Sequence, residues 1–577
     1  MNLKEKLRQL QEGLKNLPPE LKTALQQTQR EFMTVGVLSM IINLLMLMPS
    51  LYMLQIYDRV MVSQNEVTLL ASTVLLVAVL ALIAGVEVMR ARLLVRTGIQ
   101  LDQSLSPRLF DACFTAQNAK AQSNPTQVFT DVTQIRQFLT GNGVFCFFDA
   151  PWFFIYLGVL FLLHPLLGWL GLFCAAVLLS IAWIGHRLTT VPSQHALAAS
   201  IQLNADQLNK FRNAETVDAM GMQARLRDSW WTRYQNQARA QGQVDHVSHT
   251  LSAVSKFFRY TQQSLSLGMG ALLVIQGEIS PGAMIVANML MSRALQPLDL
   301  MVNSWRMLMT TRAALQRVID LFNTHPEQRP GHLSQTPFGK IELQNVSISV
   351  PQRQQPILKN ISLTIPAGKV VCIMGPSASG KSTLVRAILG QWPGHSGHIW
   401  LDSAPIEDWN SERLGQHLGY LPQNVGLMDG TLAQNIARFS QLDSEKVVAA
   451  AKAADIHTMV LSFPKGYDTP AGEAGHLLSA GQRQRLALAR ALYDKPALVV
   501  LDEPNANLDE TGEQGLLQAI KQLKAEEKTV LLITHKPSFI EVADLLLVMQ
   551  DGEVAEFGST PIVWARLQAS GQMPSAQ

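Results

Sequence analysis

The chain has 577 residues, of which 47% are hydrophobic and only 16% are charged, with a net charge of +3. Ordinary globular proteins carry about 25% charged residues, so charge is sparse here while the apolar content is unexceptional. This composition excludes a disordered, a collagen-like or a coiled-coil chain, and the small net charge does not indicate a nucleic-acid partner. The cysteines match no metal-binding or disulfide spacing; they are Cys113, Cys146, Cys174 and Cys372.

Charged residues are missing altogether from three stretches of the N-terminal half, 32–57, 67–86 and 150–186. A helix that crosses a membrane needs about 20 apolar residues. We therefore predict six membrane spans, at 33–54, 67–87, 144–163, 166–185, 261–276 and 283–298. The fifth begins with four polar residues, 261–264. Buried core helices of a large soluble protein are the alternative interpretation.

Lysine and arginine are concentrated in the N-terminal segment and in two long connections, 88–143 and 186–260. The other three connections contain only Arg59. The positive-inside rule therefore places both termini and both long connections in the cytoplasm. Helical periodicity in 88–135 and 187–250 predicts that the membrane helices continue into the cytoplasm, and 305–322 is predicted to be one further helix.

The character of the sequence changes after residue 322. Residues 323–338 are rich in Pro, Gly, His and Gln and are predicted to form a linker. Beyond it, strands alternate with helices, which is typical of a parallel α/β domain. The predicted organisation is a cytoplasmic N-terminal segment at 1–31, an α-helical six-span membrane domain at 32–322, the linker, an α/β domain at 339–570 and a tail at 571–577.

A nucleotide-binding motif opens the α/β domain. Residues 375–382 read Gly-Pro-Ser-Ala-Ser-Gly-Lys-Ser and fit the P-loop pattern G-x-x-x-x-G-K-[ST], between an apolar strand and a helix. Glycines let backbone N–H groups face phosphates, and the helix N-terminus adds partial positive charge. We predict that Lys381 reaches the β/γ-phosphates of ATP and that Ser382 ligates Mg²⁺. The predicted nucleotide-binding residues here are Gly375, Pro376, Ser377, Ala378, Ser379, Gly380, Lys381, Ser382 and Thr383.

A second apolar strand, 497–501, leads directly into Asp502, Glu503 and Pro504. In P-loop enzymes an Asp at such a strand end holds Mg²⁺. Glu503 is then predicted to act as the general base that polarises the attacking water. Without the P-loop, a solvated acidic turn would be the preferred interpretation.

Between these motifs lies Leu-Ser-Ala-Gly-Gln-Arg-Gln-Arg, residues 478–485. The order of P-loop, L-S-x-G-Q, D-E-P and a downstream His resembles the ATPase domain of ABC transporters. Six spans followed by this domain resembles the half-transporter layout of ABC exporters, so the resemblance covers the whole chain. It implies a homodimer with head-to-tail ATPase domains, in which Ser479, Gly481 and Gln482 of one subunit close over the nucleotide of the other.

Three further positions match the same family one by one. Gln423 resembles the glutamine that senses Mg²⁺ and couples to the membrane helices, and Asp509 resembles an acidic residue that lies across the dimer interface. His535 resembles the histidine that contacts the γ-phosphate. The resemblance thus implies catalytic roles for Glu503, His535 and Gln423.

One position departs from the family pattern, and one further loop matches it. Val350 stands where the family usually has an aromatic residue that stacks on adenine, so we expect stacking to be weaker or to come from another side chain. Thr469–Gly475 resembles an exporter loop that contacts the coupling loops of the membrane domain.

Three segments of the membrane half resemble one group within this family. Met53–Val60, Phe148–Trp152 and Gly277–Met284 resemble the corresponding stretches of type I secretion ABC exporters. The most similar subgroup exports proteases, lipases and repeat-rich proteins with an uncleaved C-terminal signal. With only about 30 residues before the first span and no Cys among them, processing of a leader peptide is not expected.

The resemblance implies an ATP-hydrolysing, multi-pass exporter in the bacterial inner membrane that secretes an unfolded protein with a C-terminal signal. The implied partners are a second copy of the chain, a periplasmic adaptor protein, an outer-membrane channel, the secreted protein and membrane lipid. An ABC exporter of peptide, lipid or drug-like cargo remains the alternative. A soluble ABC ATPase is disfavoured by the charge-free spans, and a regulatory ABC protein that barely hydrolyses ATP is a third reading.

Two ionisable residues, Asp149 and Arg293, lie inside predicted spans. Charges within the membrane usually face a bundle interior or a water-filled path. Our hypothesis is that both line the cytoplasmic mouth of the substrate tunnel. The alternative is that they pair within the bundle or reach the membrane interface.

Overall fold

A computed structural model of the chain describes residues 18–118, 125–327, 331–349, 355–392, 394–472 and 475–569. The chain divides into two compact units, Met1–Glu327 and Gln328–Gln577. The division falls inside the segment predicted as a linker, and the first two residues of that segment still belong to the preceding helix.

All secondary structure described in the N-terminal unit is helical. Its α-helices are Pro19–Leu45, Met48–Gln55, Met61–Ser63, Glu66–Asn118, Pro125–Thr140, Asn142–Asp149, Trp152–Leu163, Pro165–Arg212, Ala214–Ala219, Gln223–Ile275 and Pro281–Thr324, and Ile56–Val60 is a π-helix. The four longest have 44 to 53 residues. They are about twice as long as a membrane crossing requires, and the helical character predicted for 88–135 and 187–250 is confirmed in the described residues.

Among the described residues, three helical segments are long and apolar enough to cross a membrane: Pro19–Ser63, Glu66–Gln117 and Pro165–Arg212. Gly143–Asp149 and Trp152–Leu163 meet at an angle of 47° and form a fourth when taken as one broken span. The break coincides with Pro151, whose ring removes a backbone N–H donor. These segments contain the first four predicted spans. The fifth and sixth lie in the more polar helices Gln223–Ile275 and Pro281–Thr324, so the count of six stays a prediction.

Residues 305–322 are helical as predicted, but they do not form a separate helix, because Pro281–Thr324 runs as one helix through Pro297. The helix packs into two different clusters of buried side chains. Leu290 and Met291 contact the cluster around Leu160, and Val318 and Phe322 contact the cluster around Leu109. Packing along its whole length outweighs the one hydrogen bond that an internal proline removes.

The connections at one end of the helical unit are joined by polar contacts. Asp58 accepts hydrogen bonds from the Ser280 hydroxyl at 2.5 Å and from the Gly282 backbone N–H at 2.9 Å. His164 Nε2 lies 2.6 Å from Glu278 Oε2. A Cβ at Gly282 would lie 2.6 Å from Asp58 Oδ1, so this close approach requires glycine.

The C-terminal unit contains two sheets. Its strands are β1 Ile341–Ile348, β2 Leu358–Ile365, β3 Val370–Met374, β4 His395–Leu401, β5 Ala404–Pro405, β6 Leu418–Leu421, β7 Leu498–Asp502, β8 Thr529–Ile533, β9 Leu545–Gln550 and β10 Glu553–Ser559. One sheet has the order β10-β9-β3-β8-β7-β6 and is parallel except for β10. The other, β2-β1-β4-β5, is antiparallel. The parallel α/β core was predicted; the antiparallel sheet was not.

Helices cover the parallel sheet on both faces. They are Lys381–Ile388, Ser411–His417, Leu432–Ile436, Ser444–Ala453, His457–Ser462, Ala480–Leu492, Glu510–Ala525, Pro537–Ile540 and Thr560–Ala569, with 3-10 turns at Ile406–Asp408 and Gly466–Asp468. All residues of β3, β7 and β8 are buried. Successive side chains of β3 alternate between two hydrophobic clusters, with Cys372 in one and Ile373 in the other.

Candidate nucleotide site

The strand register brings three loops to one edge of the parallel sheet. Ile373 of β3 lies opposite Ile533 of β8, which in turn lies opposite Asp502 of β7. The residues that follow these strands therefore emerge side by side. Ligands of open parallel sheets bind at such carboxyl edges, and the P-loop, the Asp-Glu pair and His535 all lie here.

The P-loop has the backbone conformation that its sequence predicts. Gly375, Ala378 and Gly380 have φ of +145°, +66° and +98°. A Cβ at Gly375 would collide with the Met549 carbonyl oxygen, so glycine is required there. The loop ends where Lys381–Ile388 begins, which leaves the first backbone N–H groups of that helix at the loop.

Lys381 folds back into this loop. Its ammonium donates hydrogen bonds to the carbonyl oxygens of Gly375 at 2.7 Å and Pro376 at 2.9 Å. Burial lowers the pKa of Lys381, and the carboxylates of Glu503 and Asp502 act in the opposite direction. The Ser379 hydroxyl is buried in the same loop without a hydrogen-bond partner among the described residues. A cation and an unpaired hydroxyl inside one loop fit the binding of phosphate oxygens.

Asp502 ends β7 and is 1% exposed. Burial raises the pKa of its carboxyl, and the Glu503 charge adds to this, while a hydrogen bond from Ser382 and the charges of Arg386 and Lys381 oppose it. Oδ1 of Asp502 has no hydrogen-bond partner in the described structure. A buried, unpartnered carboxylate oxygen beside a serine hydroxyl is the donor set that Mg²⁺ prefers.

The described residues contain no group of three or more His, Cys, Asp and Glu that would hold a metal by themselves. Mg²⁺ at nucleotide sites typically has only one or two protein ligands and takes the rest from phosphates and water. Ser382 and Asp502 therefore fit Mg²⁺ held together with a nucleotide.

Gln423 and Glu503 are brought into direct contact. Gln423 Nε2 donates a hydrogen bond of 2.9 Å to Glu503 Oε2. The residues follow the paired strands β6 and β7, where Leu421 lies opposite Leu501. Glu503 has a φ of +49°, a left-handed conformation that is costly for a non-glycine residue. Its N–H is fixed by the Ile533 carbonyl at 3.0 Å.

His535 follows β8 by two residues. Burial lowers the pKa of its imidazole, the Lys381 charge lowers it further, and Glu503 opposes both. The ring is therefore neutral at physiological pH. Thr534 donates to Asn505 Oδ1 at 3.1 Å, which ties the loop after β8 to the loop after Glu503.

The L-S-A-G-Q segment begins a helix of its own. The Ser479 hydroxyl accepts from the Gln482 N–H at 3.2 Å, and Gln482 Oε1 accepts from the Ser479 N–H at 2.9 Å. A Cβ at Gly481 would lie 2.8 Å from the Asn507 carbonyl oxygen. Asp509 caps Glu510–Ala525 through the Gly512 N–H at 2.9 Å.

Within one chain these four residues do not meet the P-loop. In the part of the chain that the structure describes, Ser479, Gly481, Gln482 and Asp509 make no hydrogen bond or ion pair with 375–383. One cluster contains the P-loop, Asp502, Glu503, Gln423 and His535. Ser479, Gly481, Gln482 and Asp509 do not bond to the P-loop of this cluster.

Comparisons with known proteins give a separate family match for each of the two units of the chain. A model of the ABC transporter transmembrane region matches residues 32–298, and the ABC transporter model matches 358–506. The type I secretion system ATP-binding protein PrsD of Rhizobium meliloti (strain 1021) is 41% identical over 537 residues, 93% of this chain and 92% of that protein. The chain belongs to the ABC transporter family.

Two further comparisons extend this assignment. The leukotoxin translocation ATP-binding protein LktB of Mannheimia haemolytica is 27% identical over 91% of this chain and 75% of that protein. A bacterial Atm1-family ABC exporter with ATP bound has the same fold, with a TM-score of 0.82 and 22% identity, covering 95% of this chain and 99% of that one. The predicted fold class, a helical transmembrane domain followed by an α/β ATPase domain, is confirmed, as is the resemblance to type I secretion ABC proteins.

One buried side chain of this ABC ATPase had no predicted role. Gln484 is 2% exposed, and its amide donates to the Pro504 carbonyl at 3.1 Å. It connects the signature helix to the loop that follows Glu503. The sequence could have indicated this role, because Gln484 follows Gln482 by two positions. On a helix that spacing points the two amides in different directions.

Two predictions fall partly or wholly outside the described residues. One of them concerns Val350, which stands where the family usually has an adenine-stacking aromatic residue and lies outside the described residues. Residues 473 and 474 of the loop Thr469–Gly475 also lie outside the described residues. The proposed coupling role of that loop stays a prediction.

The two ionisable residues of the transporter's membrane half have different surroundings. Asp149 accepts a hydrogen bond from Asn43 Nδ2 at 2.7 Å, and Arg90 NH1 lies 3.8 Å from its carboxylate. Arg90 also donates to Ser39 at 3.0 Å. Asp149 therefore pairs within the helical bundle, which was the alternative interpretation. Arg293 borders a cavity between helices.

Proposed function

We propose that this ABC transporter is the ATP-hydrolysing exporter of a type I secretion system. Its proposed cargo is an unfolded protein with a C-terminal signal. The observation that carries the ATPase proposal is the hydrogen bond between Gln423 and Glu503, beside Lys381 and Asp502. The similarity to PrsD over 93% of the chain supports protein as the cargo.

In this proposal the P-loop holds the phosphates of ATP through its backbone N–H groups and Lys381. Ser382, Asp502 and Gln423 would hold Mg²⁺, which neutralises charge on the β- and γ-phosphates when bound. Glu503 accepts the proton of the attacking water. Gln423 orients the Glu503 carboxylate, and the neutral ring of His535 contacts the γ-phosphate.

The functional unit in this proposal is a homodimer. Ser479, Gly481, Gln482 and Asp509 act on the nucleotide held by the partner subunit. Support comes from the absence, among the described residues, of any hydrogen bond or ion pair between these four residues and the P-loop of their own chain. Both the signature and the P-loop would then be needed for each hydrolysis event.

The proposed location is the bacterial inner membrane, with six spans and with both termini and the ATPase domain in the cytoplasm. The distribution of Lys and Arg between alternate connections supports this orientation. A periplasmic adaptor protein and an outer-membrane channel would complete the path for the secreted protein, and membrane lipid would surround the helices.

The test compares the secreted proteins of cells that lack this chain with those of cells complemented by the native chain or by Glu503→Gln. We expect at least one secreted protein to vanish on deletion, to return with the native chain and to stay absent with the variant. An unchanged set of secreted proteins, together with a lost lipid or drug efflux activity, would support the alternative cargo instead.

A further inference from the structure

A cavity of about 360 Å³ with both apolar and charged side chains in its walls lies among the helices Pro165–Arg212, Gln223–Ile275 and Pro281–Thr324. It lies outside the nucleotide site, in the helical unit. The side chains that matter for its chemistry are Arg259, Gln262, Arg293 and Asp299. Its size is at the lower end of the range for small-ligand sites, about 300–1,000 Å³.

The charges that line this cavity do not cancel. Arg259 NH1 lies 3.3 Å from Asp299 Oδ2, and the Ser255 hydroxyl donates to Asp299 Oδ1 at 2.6 Å. Arg293 donates only to the neutral amide oxygen of Gln296, at 3.3 Å, among the described residues. The cavity therefore contains two guanidinium groups and one carboxylate, and it has a surplus positive charge on Arg293.

A buried hydrogen-bond donor faces the same space. Gln262 is 2% exposed and lines the cavity, and its Nε2 has no hydrogen-bond partner in the described structure. An amide N–H that is buried without an acceptor is destabilising, and native structures rarely retain one. Ser266, one helical turn further along, is also fully buried with an unpartnered hydroxyl.

We propose that this cavity binds carboxylate groups of the polypeptide being exported, with Arg293 as the anchoring cation and the Gln262 amide as a second donor. A planar guanidinium forms two parallel hydrogen bonds with a carboxylate. The inference rests on the proposed export of protein, and it assigns acidic residues as the feature of the cargo that the membrane domain recognises.

The dimensions and the composition favour a side-chain carboxylate over a lipid. The cavity has room for one or two side chains but not for a two-chain lipid, and Leu178, Phe258 and Leu295 give it apolar walls. One anchoring cation also suits transport, because a cargo must bind weakly enough to leave again. The polar residues at the start of the fifth predicted span, among them Gln262 and Gln263, would then face a ligand rather than lipid.

The test uses the full-length protein in nanodiscs of zwitterionic lipid. The probes are a fluorescent peptide of Asp, Gly and Ser and a matched peptide with Asn in place of Asp, with binding read as anisotropy. We expect the native chain to bind the Asp peptide about tenfold more tightly than the Asn peptide, equivalent to about 1.4 kcal/mol. Arg293→Ala should abolish that preference and leave binding of the Asn peptide unchanged. The matched control is Arg312→Ala, an exposed arginine on the same helix, which should retain the preference.

Equal binding of the two peptides by the native chain would overturn the proposal, as would a preference that survives Arg293→Ala. If that variant does not fold, Gln262→Leu and Arg293→Lys replace it, and both should reduce the preference. An Arg293-dependent binding of labelled phosphatidylglycerol without any peptide preference would assign the cavity to lipid and contradict the proposal. Loss of a secreted protein on deletion, combined with equal peptide binding, would reject this inference alone. An unchanged set of secreted proteins with a clear Asp preference would reject protein secretion and retain the site.

Discussion

Gln423 and Glu503, 80 positions apart in the sequence, share a hydrogen bond of 2.9 Å at the carboxyl edge of the parallel sheet. Each residue follows one of two neighbouring strands, so the sheet itself sets their separation. A neutral amide orients the Glu503 carboxylate without neutralising it. The carboxylate is therefore held in place at the edge of the sheet where a water could attack the γ-phosphate.

Replacing Glu503 by Gln should stop ATP turnover while ATP still binds. A general base contributes about 10²–10⁴-fold to rate, so we expect a loss of at least about 10²-fold in kcat. The measurements are phosphate release and retention of labelled ATP by the purified dimer. Glu553→Gln, an exposed glutamate on β10, serves as the matched control. Hydrolysis at the native rate would remove Glu503 from the role of base.

Replacing Gln423 by Ala should slow hydrolysis less than the loss of Glu503. Hydrogen bonds to charged groups contribute about 1.5–3 kcal/mol, which corresponds to roughly tenfold or more in rate. Combining Gln423→Ala with Glu503→Gln should cost less than the sum of the two single effects, because the amide acts partly through the carboxylate and partly through Mg²⁺. Independent, additive effects in this double-mutant cycle would contradict a shared role.

The pH dependence of the ATPase should report His535. Burial and the Lys381 charge lower the pKa of its imidazole. We therefore expect kcat/KM to be constant near neutrality and to fall only as the pH drops below about 6.5, the ordinary value. The unfolded chain binds the proton more readily, so the free energy of unfolding should also decrease as the pH falls through this range. His398→Gln, an exposed histidine on β4, should leave the profile unchanged. A midpoint above 6.5 would contradict a neutral ring.

Substituting Gly375 by Ala should damage the ATPase unit. The new methyl group would collide with the Met549 carbonyl, at a φ of +145° that L-residues avoid. Strain of this kind costs about 1–3 kcal/mol, and ATP affinity should fall with it. Gly415→Ala is the matched control, because its Cβ would meet nothing within 4 Å and it lies in a helix. Thermal unfolding with and without ATP distinguishes Gly375→Ala from Gly415→Ala. Equal melting temperatures for the two variants would refute the close approach of Gly375 to the Met549 carbonyl.

Gly282→Ala should weaken the contact with Asp58 in the membrane unit. Its methyl group would lie 2.6 Å from Asp58 Oδ1 and would displace the carboxylate from the Ser280 hydroxyl. We expect the free energy of unfolding to fall by about 1–2 kcal/mol because hydrogen bonding is lost, and the melting temperature to fall with it. In the background of Asp58→Ala the same substitution should have little effect, because the clash is gone. Gly268→Ala, with open space around its Cβ, should be neutral, and full additivity would argue against the contact.

The nucleotide site could be predicted from the sequence because its parts are short motifs at the ends of buried strands. Parallel strands place their carboxyl ends together, so Asp502 and His535 had to lie near the P-loop once the sheet was recognised. The hydrogen bond between Gln423 and Glu503 could not be predicted, because it depends on which strands are neighbours. The antiparallel sheet was missed because β1 and β2 contain bulges that interrupt their alternation.

Hydropathy alone was insufficient to predict the surroundings of polar residues in the membrane half. Average hydropathy does not distinguish a polar residue that faces lipid from one such as Gln262 that faces a neighbouring helix. The environment of Asp149 depends on Asn43, 106 positions away, and on Arg90 of another helix. Only the packing of three helices brings these side chains together.

In the proposed function, ATP hydrolysis at this site drives protein export. The most direct test measures, for the identified cargo, the export rate against the ATPase rate across the native chain, Gln423→Ala, Glu503→Asp and Glu503→Gln. Export should fall in proportion to hydrolysis and reach zero with Glu503→Gln. Export that continues at the native rate with Glu503→Gln would contradict the proposed function.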